Sequence, residues 1–181
     1  MIEAVEGGKE ITFTVKHYLE QMRELMANVN KANKVALPGW RHKSIEDFLL
    51  SHGVPFIPAP LPKGVGKGRF KECFSDAYRL VSRKPERYIY CEGYATSGII
   101  PVLHAWCFDT KTGVVVDRTW YDNRGQEYFG VPFNLDYVNT VIVRTGVYGV
   151  LGNLYMVDEE RNPLIAAPSL YLHPSHVKGG N

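Results

Sequence analysis

The chain has 181 residues, 45% of them hydrophobic, and a formal net charge of +2. That length suits one domain with a full core, and so small a charge gives no indication of nucleic acid or an anionic membrane as the main partner. No stretch reaches the roughly 18 to 20 apolar residues of a membrane span, and the opening MIEAVEGGKE lacks the basic-then-apolar order of a secretion signal, so a cytoplasmic protein is expected.

Positions 14 to 32, TVKHYLEQMRELMANVNKA, set Val15, Tyr18, Leu19, Met22, Leu25 and Met26 at helical spacing and predict an amphipathic helix. A shorter helix follows Ser44, which precedes Asp47 in capping-box style, and Gly53 stands where that helix ends. Next comes VPFIPAPLPKGVGKGRFK, whose prolines and glycines preclude a regular element throughout. Lys63, Lys67, Arg69 and Lys71 lie in it, but GVGKGR lacks the spacing with which a phosphate-binding loop wraps its ligand. A flexible basic lid beside a site and a plain solvated loop both remain open.

A third helix is predicted from Cys73 to Ser82, with Cys73, Ala77, Leu80 and Val81 on one face and RKP as its stop. Strand-like runs occupy 87 to 95, 101 to 109 and 113 to 120, and more strands are expected around 140 to 151. DNRGQEYFGVPF, at 122 to 133, reads as a turn followed by an aromatic strand or loop edge near the hairpin. His173 and His176 are three residues apart, but Pro174 disfavours a helix and no acidic or cysteine ligand completes a metal set. Residues 165–181 therefore read as a tail. The expectation is one α+β domain: an N-terminal helical part at 1–60, a core at 70–155, and the tail.

Three cysteines, Cys73, Cys91 and Cys107, form an odd set without C-x-x-C spacing, which argues against a disulfide framework or a structural zinc. Cys91 and Cys107 fall within strands, as small buried hydrophobes do. Cys73 differs, because the amides and macrodipole of a helix N-terminus favour a thiolate. Two-residue alternation puts His104 and Trp106 on one strand face.

Turn geometry then decides where Asp117 falls. If a turn at 110–113 ends with Gly113 in the left-handed conformation, Asp109 pairs with Val114 and Asp117 lies opposite Trp106, diagonal to His104. A tighter turn pairing Phe108 with Gly113 sets Asp117 directly opposite His104, and an odd loop length turns it to the wrong face. In either favourable register Asp117 can orient the imidazole while the other ring nitrogen faces Cys73.

Cysteine heading a helix, then HAW on one strand and VVDRTW on the next, resembles the transglutaminase-like branch of the papain-like cysteine enzymes, in particular small bacterial and phage proteins with this core. The likeness covers roughly positions 70 to 122. It implies a nucleophile helix packed on an antiparallel sheet, with Cys73 as nucleophile, His104 as general base and acid, and Asp117 as the orienting residue. The implied activity is acyl transfer on a peptide, protein or small amide, by hydrolysis or by transfer to an amine, without a cofactor or metal, in a bacterial or phage-infected cell. Glu92 and Trp106 are further candidate substrate contacts; an exposed strand carboxylate and ordinary core packing are their alternatives. The competing class is a binding or inhibitory module, of viral origin as one alternative, that keeps the fold without turnover.

Overall fold

The computed structural model describes residues 4–6, 9–11, 14–35, 37, 39–98, 100–120 and 125–176. A short hairpin, β1 (Ala4–Glu6) with β2 (Lys9–Ile11), precedes the first helix. Helix α1 (Val15–Ala32) begins where the Thr14 hydroxyl accepts the His17 amide at 3.1 Å. Helix α2 (Ile45–His52) begins the same way, Ser44 Oγ accepting the Asp47 amide at 3.2 Å. Of the expected α1 stripe, only Val15 and Leu19 are fully buried, and Leu25 is 51% exposed: the second half of the helix runs past the core.

After β3 (Val54–Phe56) and the proline-rich connection come α3 (Cys73–Arg83), β4 (Tyr88–Thr96), β5 (Val102–Asp109), β6 (Val114–Val116) and β7 (Glu127–Pro132). The strands form one antiparallel sheet in the order β3-β7-β4-β5-β6. Hence the aromatic segment expected beside the hairpin is an inner strand: β7 lies between β3 and β4.

Alternation along the strands divides the core. Tyr88, Tyr90, Ala105, Cys107 and Val131 pack with Leu19, Phe48, Ala77 and Val138 of the helices. Ile89, Cys91, Trp106, Val115 and Tyr128 form a second cluster with Phe56, Phe108 and Trp120. The sheet curls around this second cluster. Its two edges approach closely enough that the Val115 amide, on β6, donates to the Ile57 carbonyl just beyond β3 at 2.9 Å.

Two expectations are corrected. The region expected to hold more strands is helix α4 (Leu135–Thr145), capped by Asn134 and ended by Gly146 at φ 71°, followed by a 3-10 segment at Leu151–Met156. Its β-branched run hid a helical face, with Tyr137, Val138 and Val141 buried at helical spacing. The stretch from 165 is docked over much of its length. Within α5 (Pro168–Tyr171) Tyr171 is fully buried, Leu172 bridges Phe133, and the Asn134 amide donates to the Tyr171 carbonyl at 2.8 Å. His176 Nε2 donates to the His52 carbonyl at 2.7 Å, while 177–181 lie outside the described residues.

Among the described residues no helix is long and apolar enough to cross a membrane.

Candidate active site

The β5–β6 hairpin has the first of the two favourable registers. Its turn closes with the Gly113 amide donating to the Asp109 carbonyl at 2.8 Å, Gly113 has φ 72°, and Asp109 pairs with Val114. An L-residue at that φ is strained, so the glycine helps to set the phase of everything after it. Arg87 fixes the base of the hairpin from outside, its Nη2 2.7 Å from the buried carboxylate of Asp109.

Strand β6 ends at Val116, opposite Cys107, and the ladder does not continue along the edge of β5. There the chain bends at 118–120, and Asp117 turns toward His104. Its Oδ2 lies 2.7 Å from His104 Nε2, and the two side chains are 3% and 4% exposed. The aspartate is held by three further donors: the amides of Thr119 and Trp120 at Oδ1 (2.8 and 3.0 Å), and the hydroxyl of Tyr128 at Oδ2 (2.9 Å). Trp120 stacks on the imidazole with ring centroids 4.3 Å apart and 15° between planes.

Cys73 is the first residue of α3 and is 9% exposed. Its thiol is, with Asp117, one of the two neighbours that favour the imidazolium of His104. Asp117 engages Nε2, which leaves Nδ1 as the ring nitrogen for the thiol. The three residues that the sequence singles out for nucleophile, base and orienter are therefore brought together, with His104 bonded to Asp117 and neighboured by Cys73.

The electrostatics follow from the partners. Burial disfavours the imidazolium, but hydrogen bonds and charge from Asp117 and Cys73 outweigh it and push His104 up to about 9. Burial likewise opposes ionisation of Asp117, yet His104 and the Trp120 and Thr119 amides hold it below the usual carboxylate range. Cys91 and Cys107 are fully buried, and burial pushes both thiols up.

Glu92 and Trp106 stand apart from this group. Glu92 is on the helix-covered face, wholly buried, where Oε1 accepts the Val150 amide and the Tyr90 hydroxyl, and Oε2 the Leu151 amide. Its carboxylate secures the segment after α4 and is out of a substrate's reach. Trp106 is also fully buried, packed edge-on to Phe56 and Tyr128, so it supports the wall behind His104 without surface of its own.

Two contributors escape local sequence reasoning. Tyr128 reaches Asp117 because β7 is an inner strand, a long-range pairing that no spacing reveals. Arg118, next to the aspartate, donates through Nε to the Gly66 carbonyl at 2.7 Å and lies 3.7 Å from Asp76 on α3. It ties the hairpin, the basic connection and α3 together. The only local hint is its place in VVDRTW.

Among the described residues, no three His, Cys, Asp or Glu side chains converge as metal ligands. No family model matches the chain, nor does any curated protein or solved structure.

Proposed function

We propose that the protein is a cysteine-dependent acyl-transfer enzyme built on a papain-like core of the transglutaminase-like type. The observation that carries this reading is the buried imidazole of His104, bonded through Nε2 to Asp117 and neighboured by the thiol of Cys73 at the head of α3.

In this reading His104 takes the Cys73 proton, and the thiolate attacks the substrate carbonyl carbon to form a C–S bond. The first intrahelical acceptor of α3 is used by Asp76, whose amide donates to the Glu72 carbonyl at 2.8 Å. Earlier amides of the helix, that of Cys73 included, have no acceptor one turn back and are available to the oxyanion. As the tetrahedral species collapses, the imidazolium returns its proton to the departing amine or alcohol, leaving a thioester on Cys73. Water or an incoming amine, deprotonated by His104, then breaks the C–S bond. Asp117 holds the tautomer and stabilises the imidazolium between these steps.

The test is covalent trapping. Mixed with a p-nitrophenyl ester, the protein should gain one acyl mass on Cys73 and release p-nitrophenolate. Cys73→Ala should abolish the adduct, and His104→Ala should slow it by about a hundredfold. Acylation at an undiminished rate in either variant would overturn the proposal.

A further inference from the structure

The chain leading into Cys73 is charged and anchored. Within nine residues, KGVGKGRFK at 63 to 71, it carries Lys63, Lys67, Arg69 and Lys71, all exposed, with Phe70 73% exposed among them. It follows a fixed course along the site. Arg118 donates to the carbonyls of Gly66 and Lys67 at 2.7 and 3.2 Å, and the Gly68 amide donates to the Arg118 carbonyl at 2.8 Å. The Arg69 amide donates to Asp76 Oδ2 at 2.6 Å. One end of this strap thus rests on the neighbour of Asp117, and the other on the helix turn that follows Cys73.

The nearest carboxylates are already engaged. Asp76 faces the Arg69 amide and Arg118, Asp117 faces His104 and Tyr128, and Glu72 accepts the Ser75 hydroxyl at 2.6 Å. Among the described residues, the side chains of Lys63, Arg69 and Lys71 have no carboxylate partner; the Lys71 ammonium lies over the Phe70 ring, 5.5 Å from its centroid. A fixed backbone presenting unpaired cations has lost much of its ordering entropy before any ligand arrives.

We propose that this strap reads negative charge beside the scissile bond, so that the acyl donor is an acidic peptide segment. The inference rests on the acyl-transfer reading of Cys73 and names its substrate class. Carboxylates flanking the reacting carbonyl meet Lys63, Arg69 and Lys71, and Phe70 offers an apolar contact between them. A nucleic acid would satisfy the cations but bring no acyl carbon to Cys73, which is why a peptide is favoured.

The test separates recognition from chemistry by using Cys73→Ala protein. Fluorescence anisotropy would compare a labelled Glu-rich peptide with its Gln-rich counterpart of equal length, and with a single-stranded oligonucleotide. The Glu-rich peptide should bind about tenfold more tightly than the Gln-rich one, as a few exposed ion pairs allow. That margin should shrink at about 0.5 M salt and vanish in the triple variant Lys63→Glu, Arg69→Glu, Lys71→Glu. Should the triple variant misfold by circular dichroism, the single Arg69→Gln change and the salt series on otherwise unaltered protein carry the test. Equal binding of the two peptides, no binding of the Glu-rich one, or tighter binding of the oligonucleotide would each overturn the proposal. Acid selectivity in a protein whose Cys73 takes no acyl group would instead count against the enzymatic reading alone.

Discussion

Asp117 Oδ2 and His104 Nε2 lie 2.7 Å apart in a site almost closed to water, and Tyr128 donates to the same carboxylate oxygen. This contact makes the histidine a much stronger base than a free imidazole. In a proton NMR titration the His104 ring should show its midpoint at about 9. Replacing Asp117 with Asn removes the hydrogen bond and the charge while burial continues to pull downward, so the midpoint should fall by a pH unit or more. An unchanged midpoint in Asp117→Asn would sink the pairing.

The same pair contributes to stability with a definite sign. His104 binds its proton more tightly folded than unfolded, so its contribution is complete below about pH 6.5, the ordinary value, and is lost as pH rises through about 9. Thermal melts from pH 6 to pH 10 should fall more steeply for the unaltered protein than for Asp117→Asn.

Thiol chemistry should separate the three cysteines. Cys73 keeps 9% exposure and neighbours His104, whereas Cys91 and Cys107 are wholly buried with raised thiols, and Cys107 is turned inward to the Ala77 carbonyl at 3.4 Å. With limiting iodoacetamide near neutral pH, peptide mapping should find Cys73 labelled at least about tenfold faster than either of the others. All three should label alike in denaturant. Equal labelling in the folded state would contradict an activated Cys73.

What was legible in the sequence was what is decided locally. Thr14 and Ser44 cap helices whose apolar spacing is visible within a few turns, α3 starts at Cys73, and Gly113 sets a register that brings Asp117 to the face of His104. Where chain-distant partners decide the outcome, the sequence was silent. β7 is an inner strand because it pairs with both β3 and β4. Glu92 reads as a substrate contact or an exposed carboxylate because its amide donors, Val150 and Leu151, lie 58 and 59 residues away. The β-branched α4 reads as a strand because tertiary packing overrides its weak local preference.

That burial of Glu92 predicts a pH dependence of the same sign as that of His104, in a more acidic window. Desolvation raises its carboxyl to about 7 despite three hydrogen bonds that favour the anion. The folded state therefore binds the proton more tightly than the unfolded chain, whose carboxyl titrates at about 4.3. The group's contribution to stability is greatest at the acid end and declines as pH rises toward 7. Glu92→Gln lacks this slope, and its amide nitrogen cannot accept the backbone N–H that it replaces an oxygen for, a loss of about 1–3 kcal/mol. Urea unfolding at pH 5 and pH 8 should show the larger deficit at pH 5; a deficit that grows toward pH 8 would refute the raised carboxyl.

The strap beside Cys73 supplies a test with an internal control, because two of its glycines differ in what surrounds them. A Cβ on Gly68 would come within 2.3 Å of Asp76 Oδ2 and 3.1 Å of Arg118 Cβ, whereas on Gly66 it would meet nothing nearer than Arg118 Nη2 at 3.9 Å. The close approach at Gly68 is what allows its amide to reach the Arg118 carbonyl while Asp76 accepts from Arg69. Gly68→Ala must push the strap away from α3 or displace Asp76, and either movement disturbs the residues that flank Cys73 and Asp117. Its cost should be about 1–3 kcal/mol, with slower alkylation of Cys73 in the fraction that remains folded. Gly66→Ala meets only ordinary van der Waals contact and should leave unfolding and alkylation close to those of the unaltered protein. Measuring both variants by urea unfolding and iodoacetamide kinetics decides the matter: if they behave alike, the strap does not hold α3 in place through Gly68.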